Sequence, residues 1–191
     1  TLFNGVKRLE VKGEYCAVTI KAVEMSGVHL RGKVGAGGEN VLVLGRRSYK
    51  NRNYIIRYKQ EGELLKVWIE HEDLKRRVRV QEGLAENSVL DFEVPANTDV
   101  LVSNSSGDIQ VSGIRSPRTS LKTSYGNIKG QDLASDLTLK SSSGNISLVN
   151  VNGQVSTENS YGDLYVDRLN GDLKAISSSG NITLKNITGK V

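Results

Sequence analysis

Residues 144–188 read GNISLVNVN (144–152), GQVSTENSY (153–161), GDLYVDRLN (162–170), GDLKAISSS (171–179) and GNITLKNIT (180–188). Each nine-residue unit opens on glycine, and Gly189 opens the next. Backwards along the chain Ser135 takes the glycine place, Gly126 is again in phase, and Gly107 is in phase after one extra residue near Pro117. Fixed spacing of this kind marks a repeat architecture, in which a unit buries its apolar face only against its neighbours.

Within a unit, positions 3 and 5 are apolar, as in Ile146 and Leu148, Leu164 and Val166, Ile182 and Leu184. Positions two apart leave one face of a strand, so each unit supplies one strand. Position 8 lies beyond that pair, where the chain must turn. It alternates between Val151, Leu169 and Ile187 in one set of units and Ser142, Ser160 and Ser178 in the other. The true period is therefore 18 residues, with a wide turn lined by aliphatics and a narrow turn lined by serine. Stacked at the strand spacing of about 4.8 Å, like residues would form ladders. Glycine supplies the positive φ of a tight corner. The residue after it (Asp108, Asn127, Asn145, Asp163, Asp172 or Asn181) can hydrogen-bond the turn backbone. The expected fold is all-β: a two-sheeted β-solenoid, like a β-roll or β-helix, with about 18 residues per coil.

Residues 1–99 lack this spacing but remain rich in strands. Alternation or apolar runs cover Val6–Val11, Tyr15–Ile20, Val28–Val34, Val41–Leu44, Tyr54–Tyr58, Leu64–Ile69, Val78–Val80 and Val89–Val94. No apolar stripe of helical period runs through any of them. Pro95-Ala96-Asn97-Thr98 punctuates the two halves, yet Val100 and Val102 lead straight into the first regular coil. One structural domain is expected, with 1–99 continuing or capping the solenoid of 100–191.

Composition excludes several function classes. The net charge of +5 divides into 17 basic against 14 acidic residues over 1–99 and 9 against 7 over 100–191. No concentrated basic block results, which argues against nucleic acid as a partner. Cys16 is the only cysteine, so no intrachain disulfide exists. No apolar run reaches the roughly 18–20 residues of a membrane-spanning helix. The chain opens on Thr1, which suggests that a leader or lipid anchor preceded it.

Chemistry-bearing patterns are sparse. His29 and His71 fall in strand-like segments without Cys or His at metal-ligand spacing. Cys16 sits in an apolar segment as a small hydrophobe rather than a nucleophile. No nucleophile elbow, phosphate loop, zinc-protease motif or dinucleotide fingerprint occurs. Calcium-binding β-rolls use carboxylate-rich units, whereas the ladder here includes neutral Asn127, Asn145 and Asn181. No cofactor, metal or catalytic residue is expected. An enzyme acting on polysaccharide would need clustered carboxylates, and the few in the repeat sit mostly at turns.

Two groups of residues stand out as candidate contacts. Arg46, Arg47, Tyr49, Arg52 and Tyr54, with Arg57, Tyr58 and Lys59, interleave bases with aromatics. Such a patch stacks on sugars or nucleobases, or simply forms a solvated hairpin. Tyr125 and Tyr161 hold equivalent places 36 residues apart, and with Tyr165 would line one side of a Ser/Asn-rich surface. Aromatics on such a surface suit a glycan.

The GDI/GNI-x-L units, the segments Leu90–Pro95 and Val100–Ile109, and Gly13–Ile20 together resemble a bacterial family of adhesin-like domains of unknown function. That family is similar in style to the head-GIN adhesin domains, and the resemblance spans nearly the whole chain. It implies an exported β-solenoid of the cell envelope, in the periplasm or at the surface, with no catalytic residues to transfer. The leading expectation is a structural or binding module that meets a glycan, a protein or its own kind. The alternative is a regulatory envelope domain that senses stress through a protein partner. Because the chain stops inside a unit at Gly189-Lys190-Val191, end-to-end pairing or a further capping segment is also expected.

Overall fold

The structure, a computed structural model, describes residues 1–33, 54–71 and 88–191. The expected strands Val41–Leu44 and Val78–Val80 lie outside the described residues. In chain order the strands are β1 (Leu2–Asn4), β2 (Arg8–Gly13), β3 (Cys16–Ala22), β4 (Gly27–Lys33), β5 (Tyr54–Glu61), β6 (Leu64–His71) and β7 (Ser88–Val94). The regular half follows as β8 (Asp99–Ser106), β9 (Ile109–Ser112), β10 (Arg118–Tyr125), β11 (Ile128–Ala134), β12 (Asp136–Ser143) and β13 (Ile146–Asn152). It ends with β14 (Val155–Tyr161), β15 (Leu164–Asn170), β16 (Leu173–Ser179) and β17 (Ile182–Thr188).

These strands build two facing sheets, ordered β1-β4-β7-β3-β9-β11-β13-β15-β17 and β16-β14-β12-β10-β8-β2-β6-β5. Each coil from β8 onward gives one strand to each sheet, all parallel. β8 and β9 pair with β10 and β11 at a spacing of 19 residues, and from β10 the register is 18, so Ile128, Ile146, Leu164 and Ile182 pair in one file. The aliphatics of positions 3 and 5 meet between the sheets, where Leu139, Ile146, Leu148 and Val166 are fully buried. Burial of this kind is the main stabilising term, on the order of 1.5–3 kcal/mol per large side chain.

The described strands of the N-terminal half extend both sheets beyond β8 and β9. β2 and β3 pair in parallel with β8 and β9. β6 and β7 then form a coil outside that one, again in parallel. Antiparallel β1, β4 and β5 lie outermost at this end among the described strands. The sequence order of coils is thus broken, since the chain leaves β3, builds the outer coil and returns across it to β8.

One expectation needs correction. The narrow turn is not lined by Ser142, Ser160 and Ser178; Ser142 and Ser178 are exposed, and the inward file is Asn104, Thr123, Ser141, Asn159 and Ser177. Parity explains the difference. In the wide half-coil, Asp132, Asn150, Arg168 and Asn186 adopt φ of 52–58° and drop out of the pairing register as bulges. Each bulge shifts the alternation by one residue, so Leu133, Val151 and Leu169 at position 8 turn inward. In the narrow half-coil the residues that skip the pairing, Ser124, Ser142, Ser160 and Ser178, are not left-handed, and position 7 keeps facing in.

Candidate binding surface

The narrow corner is built on glycine. Gly144 has φ of 136°, and a Cβ there would run into the carbonyl of Gly126 one coil away. Only glycine lets successive coils approach so closely. Beside it, the Asn145 side chain accepts from the Asp163 N–H at 2.8 Å, and Asn127 accepts from the Asn145 N–H at 2.9 Å. The Asx ladder therefore bonds from coil to coil rather than within its own turn. Inside the corner, Asn159 Nδ2 donates to the carbonyls of Gly144 (3.1 Å) and Gly162 (2.9 Å). Asn104 does the same for Cys16 (2.7 Å) and Gly107 (3.1 Å).

On this braced corner Tyr125 and Tyr161 end β10 and β14. They share one file, Ser106–Tyr125–Ser143–Tyr161–Ser179, with a serine on either side of each ring. Their carbonyls accept from Gly107 N–H (2.7 Å) and Gly144 N–H (3.0 Å), which fixes the backbone. Both side chains nevertheless stand 65% exposed. Two coils separate them, about 9.6 Å at the usual strand spacing, with Ser143 at the floor of the slot. A flat sugar or aromatic ring can lie on either face.

Tyr165 does not join this file. It lies on β15 in the other sheet, half-buried, with Lys185 Nζ 5.5 Å from its ring centre. Of the basic-aromatic patch, Arg46, Arg47, Tyr49 and Arg52 lie outside the described residues. For Tyr54 the backbone alone is described, as the first residue of β5. The neighbours that follow serve the sheet: Tyr58 packs edge-on against Phe3 with ring centres 4.9 Å apart. Arg57 pairs with Glu70 and Lys59 with Glu61, both at 2.6 Å.

Cys16 is buried, and desolvation pushes its thiol up to about 12, so it is held as the neutral hydrophobe the sequence suggested. His29 Nδ1 lies 3.0 Å from Glu93 Oε2 on the outer face, an ordinary cross-strand pair. Among the described residues no three His, Cys, Asp or Glu gather as a metal site. Sequence reasoning passed over Trp68, which with Glu10, Lys12, Lys66 and Val67 lines a shallow hollow of about 210 Å³. Its signal was the single tryptophan at an outward position between buried Val67 and Ile69.

Comparison with known proteins agrees with the architecture. The Toastrack DUF4097 family profile matches residues 48–188. No curated protein matches the chain. A solved structure of a candidate cell adhesion protein from Clostridium sporogenes superposes with a TM-score of 0.52. The two are 8% identical, and the match covers 97% of this chain and 96% of the other. At that identity the likeness is one of fold.

Proposed function

We propose that this chain, which belongs to the Toastrack DUF4097 family, is a non-catalytic binding module of the bacterial envelope that grips an extended glycan along its narrow edge. The observation that carries this reading is the pair Tyr125 and Tyr161, both 65% exposed, in one file of otherwise small serines. Exposed aromatics on a rigid scaffold contact a ligand with little loss of conformational freedom. Their separation of about 9.6 Å is close to the length of an extended disaccharide. The shared fold with a candidate cell adhesion protein supports a role at the cell surface.

The test is retention of the protein on immobilised envelope polysaccharides, with Tyr125→Ala, Tyr161→Ala and the double variant. On uncharged polysaccharides each single change is expected to weaken binding several-fold, on the order of 1 kcal/mol or more per stacked ring, and the double change to abolish it. Protease treatment of intact host cells should release the domain. Retention unaltered in the double variant would sink the glycan reading, and capture of one envelope protein instead would favour the regulatory alternative.

A further inference from the structure

The bulges of the wide half-coil stack into a file of left-handed residues, Asp132, Asn150, Arg168 and Asn186, at φ of 52–58°. Asn and Asp adopt this conformation readily because their short polar side chains bond locally. Their side chains also bond across the coils: Asn150 Nδ2 donates to Asp132 at 2.6 Å and Asn186 Nδ2 to Asp167 at 2.7 Å. Arg168 breaks the rule. A long cationic side chain has no intrinsic preference for a left-handed backbone, and an outlier of this kind is a reason to look for a use beyond the fold.

Its surroundings say what the use is. Arg168 stands in a groove of about 360 Å³ that runs along the wide edge. Asn150 and Asn186 flank it in its own file, and Asn152, Asn170 and Thr188 form the opposite wall. Val151 and Leu169 between the walls turn their side chains into the core, leaving backbone as the floor. Every amide on these walls can both donate to and accept from a hydroxyl. Asn170 Nδ2 donates to Asn152 Oδ1 at 3.3 Å, which uses one of its two hydrogens. Asp167 takes one contact of the guanidinium, Nη1 at 3.4 Å, and no other acceptor for it occurs among the described residues. A guanidinium has five donors, so most remain for a ligand.

We infer that this groove binds an acidic saccharide, its carboxylate held by Arg168 and its ring hydroxyls by the amides of Asn150, Asn152, Asn170 and Asn186. The inference rests on the glycan-binding reading and adds a ligand class and a second contact line on the opposite edge. One coil advances about 4.8 Å, close to one pyranose ring, so the three rungs from Asn150 to Asn186 accommodate a disaccharide. Nucleic acid fits poorly. A duplex presents one phosphate per about 1.7 Å, against a single cation here.

The experiment uses the protein with assigned backbone and side-chain amide resonances. It is titrated with an oligosaccharide carrying one uronate per disaccharide, and separately with its carboxyl-reduced counterpart. Shifts at the amides of Asn150, Asn152, Asn170 and Asn186 with the acidic probe are expected, and at least about ten-fold weaker binding of the reduced one, the scale of a charge-assisted contact. Arg168→Asn keeps a residue suited to the left-handed site, so it should melt no lower than the parent yet bind at least ten-fold more weakly. Arg168→Lys should retain part of the affinity. Shifts confined to the Tyr125 and Tyr161 edge would overturn the groove while leaving the glycan module standing. Equal binding of both probes, or an Arg168→Asn variant that binds normally, would overturn the acidic class. No binding of either probe anywhere would overturn both, and preference for a single-stranded oligonucleotide would replace the saccharide with nucleic acid.

Discussion

Asn159 and Ser141 are neighbours in one inward file, yet opposite outcomes follow from removing them. Asn159 donates to two corner carbonyls, of Gly144 and Gly162, that no other side chain reaches in the described residues. Truncation to Ala leaves two partly buried acceptors unpaired, so Asn159→Ala is expected to cost about 1–3 kcal/mol. The Ser141 hydroxyl is buried without a hydrogen-bond partner. Ser141→Ala removes that desolvated group and is expected to stabilise by up to about 1 kcal/mol. Urea denaturation of the two variants against the parent reads both signs, and a loss on Ser141→Ala would show that its hydroxyl is satisfied. Little of this was legible in the sequence. The serines of position 8 drew the eye, while position 7 mixes Asn, Thr and Ser and shows no pattern until parity is known. Arg168 was hidden because the aliphatic at position 8 reads as the lining of a turn, whereas the step from position 5 to position 8 is the mark of a bulge at position 7.

At the level of the strand and its corner, the sequence reads far more openly. Glycine at every ninth residue and aliphatics at positions 3 and 5 dictate strand, corner and register together, since like residues must stack. The corner glycines carry a specific consequence. Gly162 has φ of 121°, and an added Cβ would strike the carbonyl of Gly144. Gly62, in the β5–β6 turn, has φ of 60° and nothing within 4 Å of an added Cβ. Gly62→Ala should therefore cost only the left-handed strain, about 1–2 kcal/mol. Gly162→Ala must also push two coils apart, and about 3 kcal/mol or more is expected. Thermal melting of the pair decides it: equal losses would mean that the coils yield to the methyl. Residues 1–99 were less legible because their strands are not neighbours in sequence order. Each strand from Arg8 to Val94 that the structure describes sits near its expected place, but nothing local says that β6 and β7 lie outside β2 and β3.

Over the whole molecule, the aliphatic interior leaves charge to the two outer faces, and there the site residues depend on which strands meet. Tyr125 and Tyr161 could be paired from the sequence because their register is the repeat itself, whereas Trp68 meets Lys12 only through the non-sequential pairing of β2 with β6. The same outer faces set the response to acid. Glu93 is lowered from its ordinary value of 4.5 chiefly by the hydrogen bond with His29, Glu61 by that with Lys59, and Glu158 by that with Lys140. A carboxylate depressed in the folded state contributes stability that is fully present above its unfolded value. That contribution is lost as pH falls through the folded one. The melting temperature is thus expected to be flat from neutral pH down to about 4.5 and to fall below it. The pairs are exposed, so the fall should be shallow and should shrink in high salt. A triple variant, Glu61→Gln, Glu93→Gln and Glu158→Gln, should melt lower than the parent at neutral pH and converge with it in acid. Melting curves between about pH 7 and pH 3 test the assignment. A triple variant that falls as steeply as the parent would place the acid sensitivity elsewhere in the chain.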